Sequence, residues 1–303
     1  MATKSRPFIV PSESHRALIV DSSPEINQLL VNLFDPQEWN VQFARDNHEA
    51  LRLASERVYD LIITGERTSG KEDLELLRRL RLVRPHTRLI ILTDEFTPGD
   101  VLNSIRERAF SYFARPFSTE RLADIIRVAM NEPYWDDGIE ILSATPNWVR
   151  LSVRCDVLTA NRLIQFYREA SDLPDAETEE VATAFREILL NAIEHGAGFD
   201  STKFAEVGYV RTRRMVMCKV KDPGTGFSLD ELKHSALTNT EDDPFRHMTT
   251  REELGMRPGG FGILMARRLV DELFYNEKGN EVLLIKYLDP PAAASASAAE
   301  PSV

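Results

Sequence analysis

Cysteine is scarce in this sequence, because Cys155 and Cys218 are the only two, they lie far apart, and neither belongs to a CxxC pair. This excludes a disulfide framework and a cysteine-ligated zinc site, and a reducing cytoplasm is the expected compartment. The sequence also lacks a run of about 18 uncharged apolar residues, and residues 1–11 lack the apolar core of a signal peptide. We therefore expect neither a membrane-spanning nor an exported protein.

Positive charge is in deficit as well. The chain has 37 Lys and Arg residues against 48 Asp and Glu residues, and its formal net charge is −11. A surface of this sign repels a phosphate backbone, so no direct nucleic-acid partner is expected. The chain has 303 residues, of which 43% are apolar and 28% are charged. This composition is typical of a globular protein that is too long for one core of ordinary size, and it predicts two domains.

Short β-branched runs alternate with amphipathic segments between residues 16 and 131. Five such strand–helix units predict a doubly wound parallel sheet, which would place ligands at the carboxyl ends of its strands. The predicted strands are ALIVD, WNVQFA, DLIIT, RLIILT and SYFA, and the predicted helices begin at Pro24 and His48 or cover residues 72–82, 101–108 and 118–130.

Composition shifts along the chain predict the domain boundaries. The polar stretch NEPYWDDG reads as a linker, and the Ala/Ser/Pro-rich end has almost no large apolar residue to bury. We expect a flexible tail over 1–14, a first domain over 15–131, a linker over 132–138, a second domain over 139–290 and a disordered tail over 291–303.

The strand ends of the first domain resemble those of the receiver domain of two-component signalling. Receivers carry an acidic pair after strand one, a phospho-accepting Asp after strand three, a Ser or Thr after strand four and Lys-Pro after strand five. The chain keeps only part of this set: Asp21 followed by Ser22, Gly65 in place of the acceptor, Thr93, and Arg115 before Pro116.

Glycine has no side chain to phosphorylate, so aspartyl phosphorylation at Gly65 is excluded. The loss of one carboxylate also weakens the oxygen cage that Mg²⁺ requires. Glu66 is an alternative source of negative charge, but a shift of one residue at a strand end points the side chain elsewhere. We therefore interpret the first domain as a pseudo-receiver that serves protein contact or packing.

The second domain opens with two predicted strands over 139–155 and a helix over 158–170. A longer helix over 178–195 carries Glu187 and Asn191 at positions i and i+4, so both side chains project from one face. Such a pair is ordinary on an exposed helix face. Within a segment rich in Ala, Leu and Ile it is costly unless solvent, metal or ligand satisfies it.

Two glycine-rich segments follow this helix. A strand-like run over 215–220 ends in KDPGTGF, where Asp222 follows the strand and Gly224 and Gly226 free the backbone to approach a ligand. A long polar segment over 228–256 then leads into RPGGFG, which opens an amphipathic helix. Backbone N–H groups at such a helix N-terminus form an anion site suited to phosphates.

The motifs ExxxN with a trailing HG, DPGTGF, and GGFG before a helix, in this order, resemble those of the GHKL ATPase superfamily. The resemblance covers residues 139–288 and implies a two-layer α/β sandwich with a mixed sheet that binds ATP and Mg²⁺. Within the superfamily, the short, strand-first form is most similar to the anti-sigma-factor serine kinases. These kinases phosphorylate a small partner protein.

The resemblance assigns a role to each motif residue. Glu187 would be the general base, Asn191 would hold Mg²⁺, and Asp222 would read the adenine amino group. Residues 228–256 would form a lid over ATP. The remaining nucleotide contacts would come from His195, Gly224, Gly226, Arg257, Gly259, Gly260, Phe261 and Gly262.

His195 also has a structural interpretation, which we favour. It ends the predicted helix immediately before Gly196. A protonated histidine there complements the helix dipole, and the glycine supplies the C-cap.

Two functions remain open at this point. The first is an ATP-dependent serine/threonine protein kinase that phosphorylates a small antagonist protein, admits a sigma factor as a second partner and forms a homodimer. The second is a nucleotide-gated interaction module that transfers no phosphate. A histidine kinase is disfavoured because no histidine lies between His86 and His195. A gyrase-type transducer domain is not expected after residue 288.

Overall fold

The structure is a computed structural model that describes residues 14–65, 70–94, 97–129, 137–145, 147–226 and 261–288. The chain divides into two compact units. The first unit comprises Met1–Phe96 and Phe113–Trp135, and the second comprises Thr97–Tyr112 and Asp136–Val303.

The first sheet has five strands in the order β2-β1-β3-β4-β5. Their bounds are His15–Val20 (β1), Trp39–Ala44 (β2), Leu61–Thr64 (β3), Arg88–Thr93 (β4) and Ser111–Ala114 (β5). β1 pairs in parallel with β2 and β3, and β3 pairs in parallel with β4. Every residue of β3, β4 and β5 is buried, as is usual for strands covered on both faces. The predicted doubly wound sheet is confirmed.

A helix follows each of these strands. The helices are α1 Pro24–Val31, α2 Asn47–Glu56, α3 Gly70–Val83, α4 Pro98–Arg106 and α5 Thr119–Ala129. Local side-chain caps fix the starts of α1, α2 and α4, and Asp46 caps α2. The side chain of Ser23 caps α1 ahead of Pro24, and Thr97 and Asp100 form a capping box around the start of α4. α4 therefore begins at Pro98, earlier than predicted, because proline is favourable in the first helical turn.

The second sheet has six strands in the order β10-β11-β9-β8-β7-β6. Their bounds are Ile139–Thr145 (β6), Trp148–Arg154 (β7), Phe204–Arg211 (β8), Met215–Lys221 (β9), Glu272–Tyr275 (β10) and Glu281–Tyr287 (β11). All five neighbouring pairs are antiparallel. The α/β class is confirmed, but the predicted mixed pairing is wrong for the described strands. Three of the pairs are hairpins with short turns, which can only join antiparallel strands.

Helices pack on this sheet. They are α6 Val157–Ala170, α7 Asp175–Asn191 with a π-helical continuation over Ala192–Ala197, and α8 Gly262–Leu269. α6 contacts β7, α7 contacts β9 and β11, and α8 contacts β10. The alternate residues Val216, Cys218 and Val220 of β9 are buried, so the apolar positions of the strand share one face.

Both cysteines are free and buried. Burial raises the pKa of the Cys155 thiol to about 11, and burial also raises the pKa of Cys218. Both side chains therefore remain protonated thiols at neutral pH and behave as small apolar residues.

The end of the α7 helix differs from the sequence prediction. We expected His195 to end the helix and Gly196 to be its C-cap, and this is wrong. The π-helical turn carries the chain past both residues, and the cap is Gly198, whose φ is +69°. A wider turn accommodates an extra residue before the chain reverses, and glycine adopts the left-handed conformation there without a steric penalty.

A buried arginine joins α6 to the 97–112 segment of the second unit. The Arg162 side chain is 1% exposed; its Nε donates to the carbonyl of Phe110 at 2.8 Å, and its Nη2 donates to the carbonyl of Ala109 at 3.1 Å. Nη2 also lies 3.0 Å from Asp137 Oδ1. Burial lowers the pKa of Arg162, and the Asp137 carboxylate opposes that shift. These acceptors replace the lost water shell and so allow a charge in the core.

The Arg162 network predicts a large cost of truncation. We expect Arg162→Ala to lower the free energy of unfolding of the second unit by about 3–5 kcal/mol, because Asp137 would be left buried and unpaired. Arg150→Ala is the matched control, since the Arg150–Glu206 pair is half exposed at 3.3 Å and such pairs contribute at most about 1 kcal/mol. Urea unfolding of the full chain measures both losses, and equal losses would contradict a structural role for Arg162.

Candidate functional site

Glu187 and Asn191 lie one turn apart on α7, as the sequence predicted. The first residue of α8, Gly262, packs directly against them. A Cβ added to Gly262 would lie 2.8 Å from Glu187 Oε2, and 3.6 and 3.8 Å from the amide nitrogen and oxygen of Asn191. Glycine at this position therefore lets the backbone of α8 approach the two polar side chains.

The approaching backbone is the N-terminus of a helix. Phe261 stands at the N-cap position of α8, is 39% exposed and provides no side-chain cap. The first N–H groups of an α-helix have no partner within the helix, and the helix dipole places partial positive charge there. The carboxylate and the amide of α7 thus face a backbone region suited to an anion.

Arg186 balances the charge of Glu187. Its Nη1 lies 3.6 Å from Glu187 Oε1, and the two side chains are 40% and 25% exposed. Because both groups reach solvent, the pair is screened and weak. Glu187 thus remains within reach of an incoming group.

Asp222 follows β9 and opens a tight turn. Its Oδ1 accepts a hydrogen bond from the N–H of Gly224 at 2.7 Å. Burial raises the pKa of Asp222, while the Gly224 hydrogen bond and the nearby Lys278 charge oppose that shift. The group is a half-buried carboxylate with a fixed orientation, which suits recognition of a hydrogen-bond donor.

The π-helical segment brings this turn close to α7. A Cβ added to Gly196 would lie 2.4 Å from Asp222 Cβ, so only glycine fits there. Gly196 follows Asn191 by five positions along one helical path, or about 7–8 Å at the usual rise per residue. The structure thus brings together the Glu187–Asn191 pair, Gly262 and Asp222, which are distant in sequence.

Gly226 ends the turn in a left-handed conformation with φ of +83°. A Cβ there would lie 1.8 Å from the carbonyl oxygen of Lys278, in the hairpin turn between β10 and β11. This hairpin turn, residues 276–280, is not among the site residues predicted from the sequence. The signal was present, since Asn-Glu-Lys-Gly-Asn between two apolar runs is typical of a turn.

The other predicted site residues lie at the margin or outside the described chain. His195 is exposed in the last turn of the π-helical segment. The residues that fall outside the described ranges are Glu66, Arg257, Gly259, Gly260 and the predicted lid over 228–256.

The first unit has a second cluster at its strand ends. Asp21 is 3% exposed, its Oδ1 accepts from the N–H of Ser23 at 2.5 Å, and its Oδ2 has no hydrogen-bond partner. A Cβ added to Gly65 would lie 1.9 Å from that Oδ2. The Asp21 carboxylate therefore occupies the space that a side chain at position 65 would need.

The remaining receiver positions lie at neighbouring strand ends. Thr93 is buried at the end of β4, and the backbone N–H of Arg115 donates to its carbonyl at 3.1 Å. Arg115 Nε lies 3.6 Å from Asp94 Oδ1, and both side chains are exposed. The Arg115 side chain in this cluster is therefore paired with the Asp94 carboxylate.

Metal-binding potential in the described ranges is limited. No group of three or more His, Cys, Asp and Glu residues in these ranges could hold an ion. Mg²⁺ in nucleotide sites commonly takes only one or two protein ligands together with substrate phosphates. A single Asn191 facing the start of α8 fits that mode, because Gly262 leaves the space between them free of a side chain.

Two family models match the chain. Residues 17–127 match the response regulator receiver domain, and residues 152–286 match the histidine kinase-like ATPase domain. The chain therefore contains a receiver domain followed by a histidine kinase-like ATPase domain, and the latter implies ATP binding.

Curated relatives share part of this chain. It is 28% identical over 123 residues to the transcriptional regulatory protein CpxR of Klebsiella pneumoniae, covering 41% of this chain and 52% of that protein. It is 25% identical over 115 residues to sporulation initiation phosphotransferase F of Bacillus subtilis, covering 38% of this chain and 92% of that protein. The chain thus spans about half the length of CpxR.

Solved structures give similar partial matches. A signal receiver domain of an HD domain-containing protein from Pseudomonas fluorescens aligns with a TM-score of 0.35 and 30% identity, covering 39% of this chain and 94% of that one. A response regulator from Thermotoga maritima aligns with a TM-score of 0.36 and 24% identity, covering 39% and 99%. Within the described ranges, every helix is too short or too polar to span a bilayer.

The contact between Gly196 and Asp222 predicts a specific loss of nucleotide affinity. We expect Gly196→Ala to displace Asp222 and to weaken ATP binding about 10- to 100-fold, the value of one hydrogen bond to a charged group. Gly198→Ala is the control, because φ is +69° there but an added Cβ meets nothing within 4 Å. It should cost about 1 kcal/mol of stability and leave ATP affinity unchanged. Calorimetric titration with MgATP measures the affinity of both variants. Equal affinities would contradict a contact between Asp222 and the nucleotide.

The crowding at Gly65 predicts that an acceptor cannot simply be restored. Gly65→Ala and Gly65→Asp should each destabilise the first unit by about 1–3 kcal/mol, because the new Cβ displaces a buried carboxylate. The aspartate variant should gain no phosphoryl group from an acyl phosphate with Mg²⁺. Gly99→Ala, in the second unit, is the control for an added methyl group, since its Cβ meets only Thr97 Oγ1 at 3.5 Å and it should leave the first unit unchanged. Thermal unfolding and intact mass measure the outcomes, and efficient phosphorylation of Gly65→Asp would refute the prediction.

Proposed function

We propose that this chain, with its receiver domain and its histidine kinase-like ATPase domain, is an ATP-dependent serine/threonine protein kinase of the anti-sigma-factor type. The observation that supports it best is the placement of Gly262 against Glu187 and Asn191. That contact brings a carboxylate, an amide and a helix N-terminus close together, an arrangement that would suit phosphoryl transfer.

Asn191 would hold Mg²⁺ through its amide oxygen, jointly with phosphate oxygens of ATP. The metal, when bound, neutralises charge on the phosphates during transfer. The N-terminus of α8 would face the phosphates through its backbone N–H groups, and Gly262 keeps that approach open.

Glu187 would act as general base towards a serine or threonine hydroxyl. The hydroxyl oxygen forms a bond to the γ-phosphorus, and the bond from that phosphorus to the β–γ bridging oxygen breaks. The hydroxyl proton passes to Glu187, and ADP leaves. Partial exposure of Glu187 allows a protein substrate to reach it.

Asp222 would accept a hydrogen bond from the adenine amino group. Gly224 and Gly226 would allow the purine to lie close to the backbone. The ionised carboxylate is the stronger acceptor, and burial raises the pKa of Asp222. As the pH falls, Asp222 becomes protonated at a higher pH than an exposed aspartate would. Adenine binding should therefore begin to weaken at that higher pH.

The receiver domain would serve as an interaction module, because Gly65 offers no acceptor and Asp21 fills the adjoining space. The partners that we propose are a small antagonist protein as substrate, a sigma factor as a second binding partner and a second copy of the chain. A cytoplasmic location is part of the same proposal.

One observation favours a second candidate, a nucleotide-gated interaction module without phosphate transfer. Arg186 Nη1 lies 3.6 Å from Glu187 Oε1, so the carboxylate already has a cationic partner on its own helix. In this alternative, ATP binding would order the site for a partner, and Glu187 would remain paired.

Substitution of Glu187, the proposed general base, distinguishes the kinase from the interaction module. We expect Glu187→Gln to retain ATP affinity within about twofold and to lower phosphoryl transfer to a cognate antagonist by about 10²- to 10⁴-fold, the usual contribution of a general base. Glu179→Gln is the matched control, because Glu179 lies on the same helix but pairs with Arg168. γ-labelled ATP with small antagonist proteins as acceptors gives the rates. Tight ATP binding with no transfer to any acceptor would favour the module, and unchanged transfer by Glu187→Gln would remove Glu187 as base.

A further inference from the structure

We propose that the hairpin turn between β10 and β11, residues 276–280, belongs to the nucleotide site, with Asn280 positioning Asp222 to discriminate adenine from other bases. This inference rests on the proposed function, in which Asp222 reads the adenine amino group. It adds a specificity-determining element that none of the sequence motifs contains.

Asn280 contacts both ends of the Asp222 turn. It is 6% exposed, and its main-chain carbonyl accepts a hydrogen bond from the backbone N–H of Asp222 at 3.0 Å. Its Nδ2 points to the carbonyl of Gly224 at the longer distance of 3.5 Å. Since the N–H of Gly224 donates to Asp222 Oδ1, one buried asparagine supports the main chain on either side of the reading carboxylate.

Asn276 fixes the orientation of Asn280. Its Nδ2 donates to Asn280 Oδ1 at 3.0 Å, and its Oδ1 accepts from the N–H groups of Asn280 at 3.0 Å and Glu281 at 3.1 Å. The Asn280 amide oxygen is therefore engaged, and its amide nitrogen is directed towards the Asp222 turn. This reciprocal pair exceeds what a hairpin needs for closure, which short turns achieve with backbone bonds.

The hairpin turn at 276–280 also contacts Gly226, at the far end of the Asp222 turn. A Cβ added to Gly226 would lie 1.8 Å from the carbonyl oxygen of Lys278, so the two backbones are in direct contact. The Lys278 charge lowers the pKa of Asp222, against the larger effect of burial. The hairpin thus supports the ionised form of the carboxylate as well as its position.

Asp222 is consequently held from two sides. Gly196 of the π-helical segment packs against its Cβ, and Asn280 holds its backbone. Adenine presents an amino group at the position where guanine presents a carbonyl, so a fixed carboxylate favours adenine and repels guanine. A loosened carboxylate would weaken the bond to adenine, whereas guanine makes no such bond and has none to lose.

The test is the ratio of ATP to GTP affinity in the full chain. We expect Asn280→Ala to raise the Kd for MgATP about 5- to 20-fold and to change the Kd for MgGTP less than about twofold, the scale of one or two lost hydrogen bonds. Asn276→Ala should produce a smaller change in the same ratio. Asn40→Ala, at an exposed position of β2, is the control and should change neither Kd.

A second variant separates positioning from folding. Asn280→Ser keeps the main-chain carbonyl for Asp222 and adds no charge but removes the amide donor to Gly224, so it should fold and still lower the ATP-to-GTP ratio. Melting temperatures without nucleotide accompany each titration. A lower melting temperature together with an unchanged ATP-to-GTP ratio would show a purely structural role and overturn the inference.

The outcomes also separate this inference from the proposed function. If the wild-type chain binds MgATP but transfers no phosphate, the kinase proposal fails, and the affinity ratios still decide the role of Asn280. If the wild-type chain binds MgATP and MgGTP equally, Asp222 does not select the base, so its adenine role and this inference fail while the proposal of phosphoryl transfer is unaffected. If it binds neither nucleotide, both fail.

Discussion

The candidate site depends on the close approach of backbone to the polar groups at the end of α7. At Gly262 and at Gly196 a single added carbon would meet Glu187 or Asp222 at 2.8 or 2.4 Å. These two contacts bring the N-terminus of α8 and the turn after β9 onto one helix. Packing leaves little room for adjustment around Asp222 Cβ, so the geometry requires glycine at Gly196, whereas the contact at Gly262 is to the flexible end of the Glu187 side chain.

The same steric relation has a different consequence in the first unit. Gly65 also stands against a carboxylate, but there the Asp21 side chain turns into the free space and its Oδ2 has no hydrogen-bond partner. Where the backbone of α8 approaches Glu187, the glycine allows main chain and carboxylate to come close together. At Gly65 it allows a neighbouring side chain to occupy the space that a side chain at this position would need.

Much of the architecture could be predicted from periodicity. The five strand–helix units and the α7 helix with Glu187 and Asn191 one turn apart follow from alternation and 3.6-residue spacing, which are local properties. The end of α7 was predicted wrongly because a π-helical turn and an ordinary C-cap share the same local signal of His followed by Gly. The pairing of the second sheet was also wrong, because strand direction depends on which segments become neighbours.

By itself, the sequence determined the residue types of the site: a carboxylate and an amide at helical spacing, an aspartate after a strand, and glycines before a helix. Only the tertiary structure decided which of these glycines touches which polar group, and that the hairpin turn at Asn280 supports Asp222. The physical reason is range. Helical spacing and turn chemistry act over a few residues, whereas the contact between Asn280 and Asp222 exists only after β9 and β11 have paired.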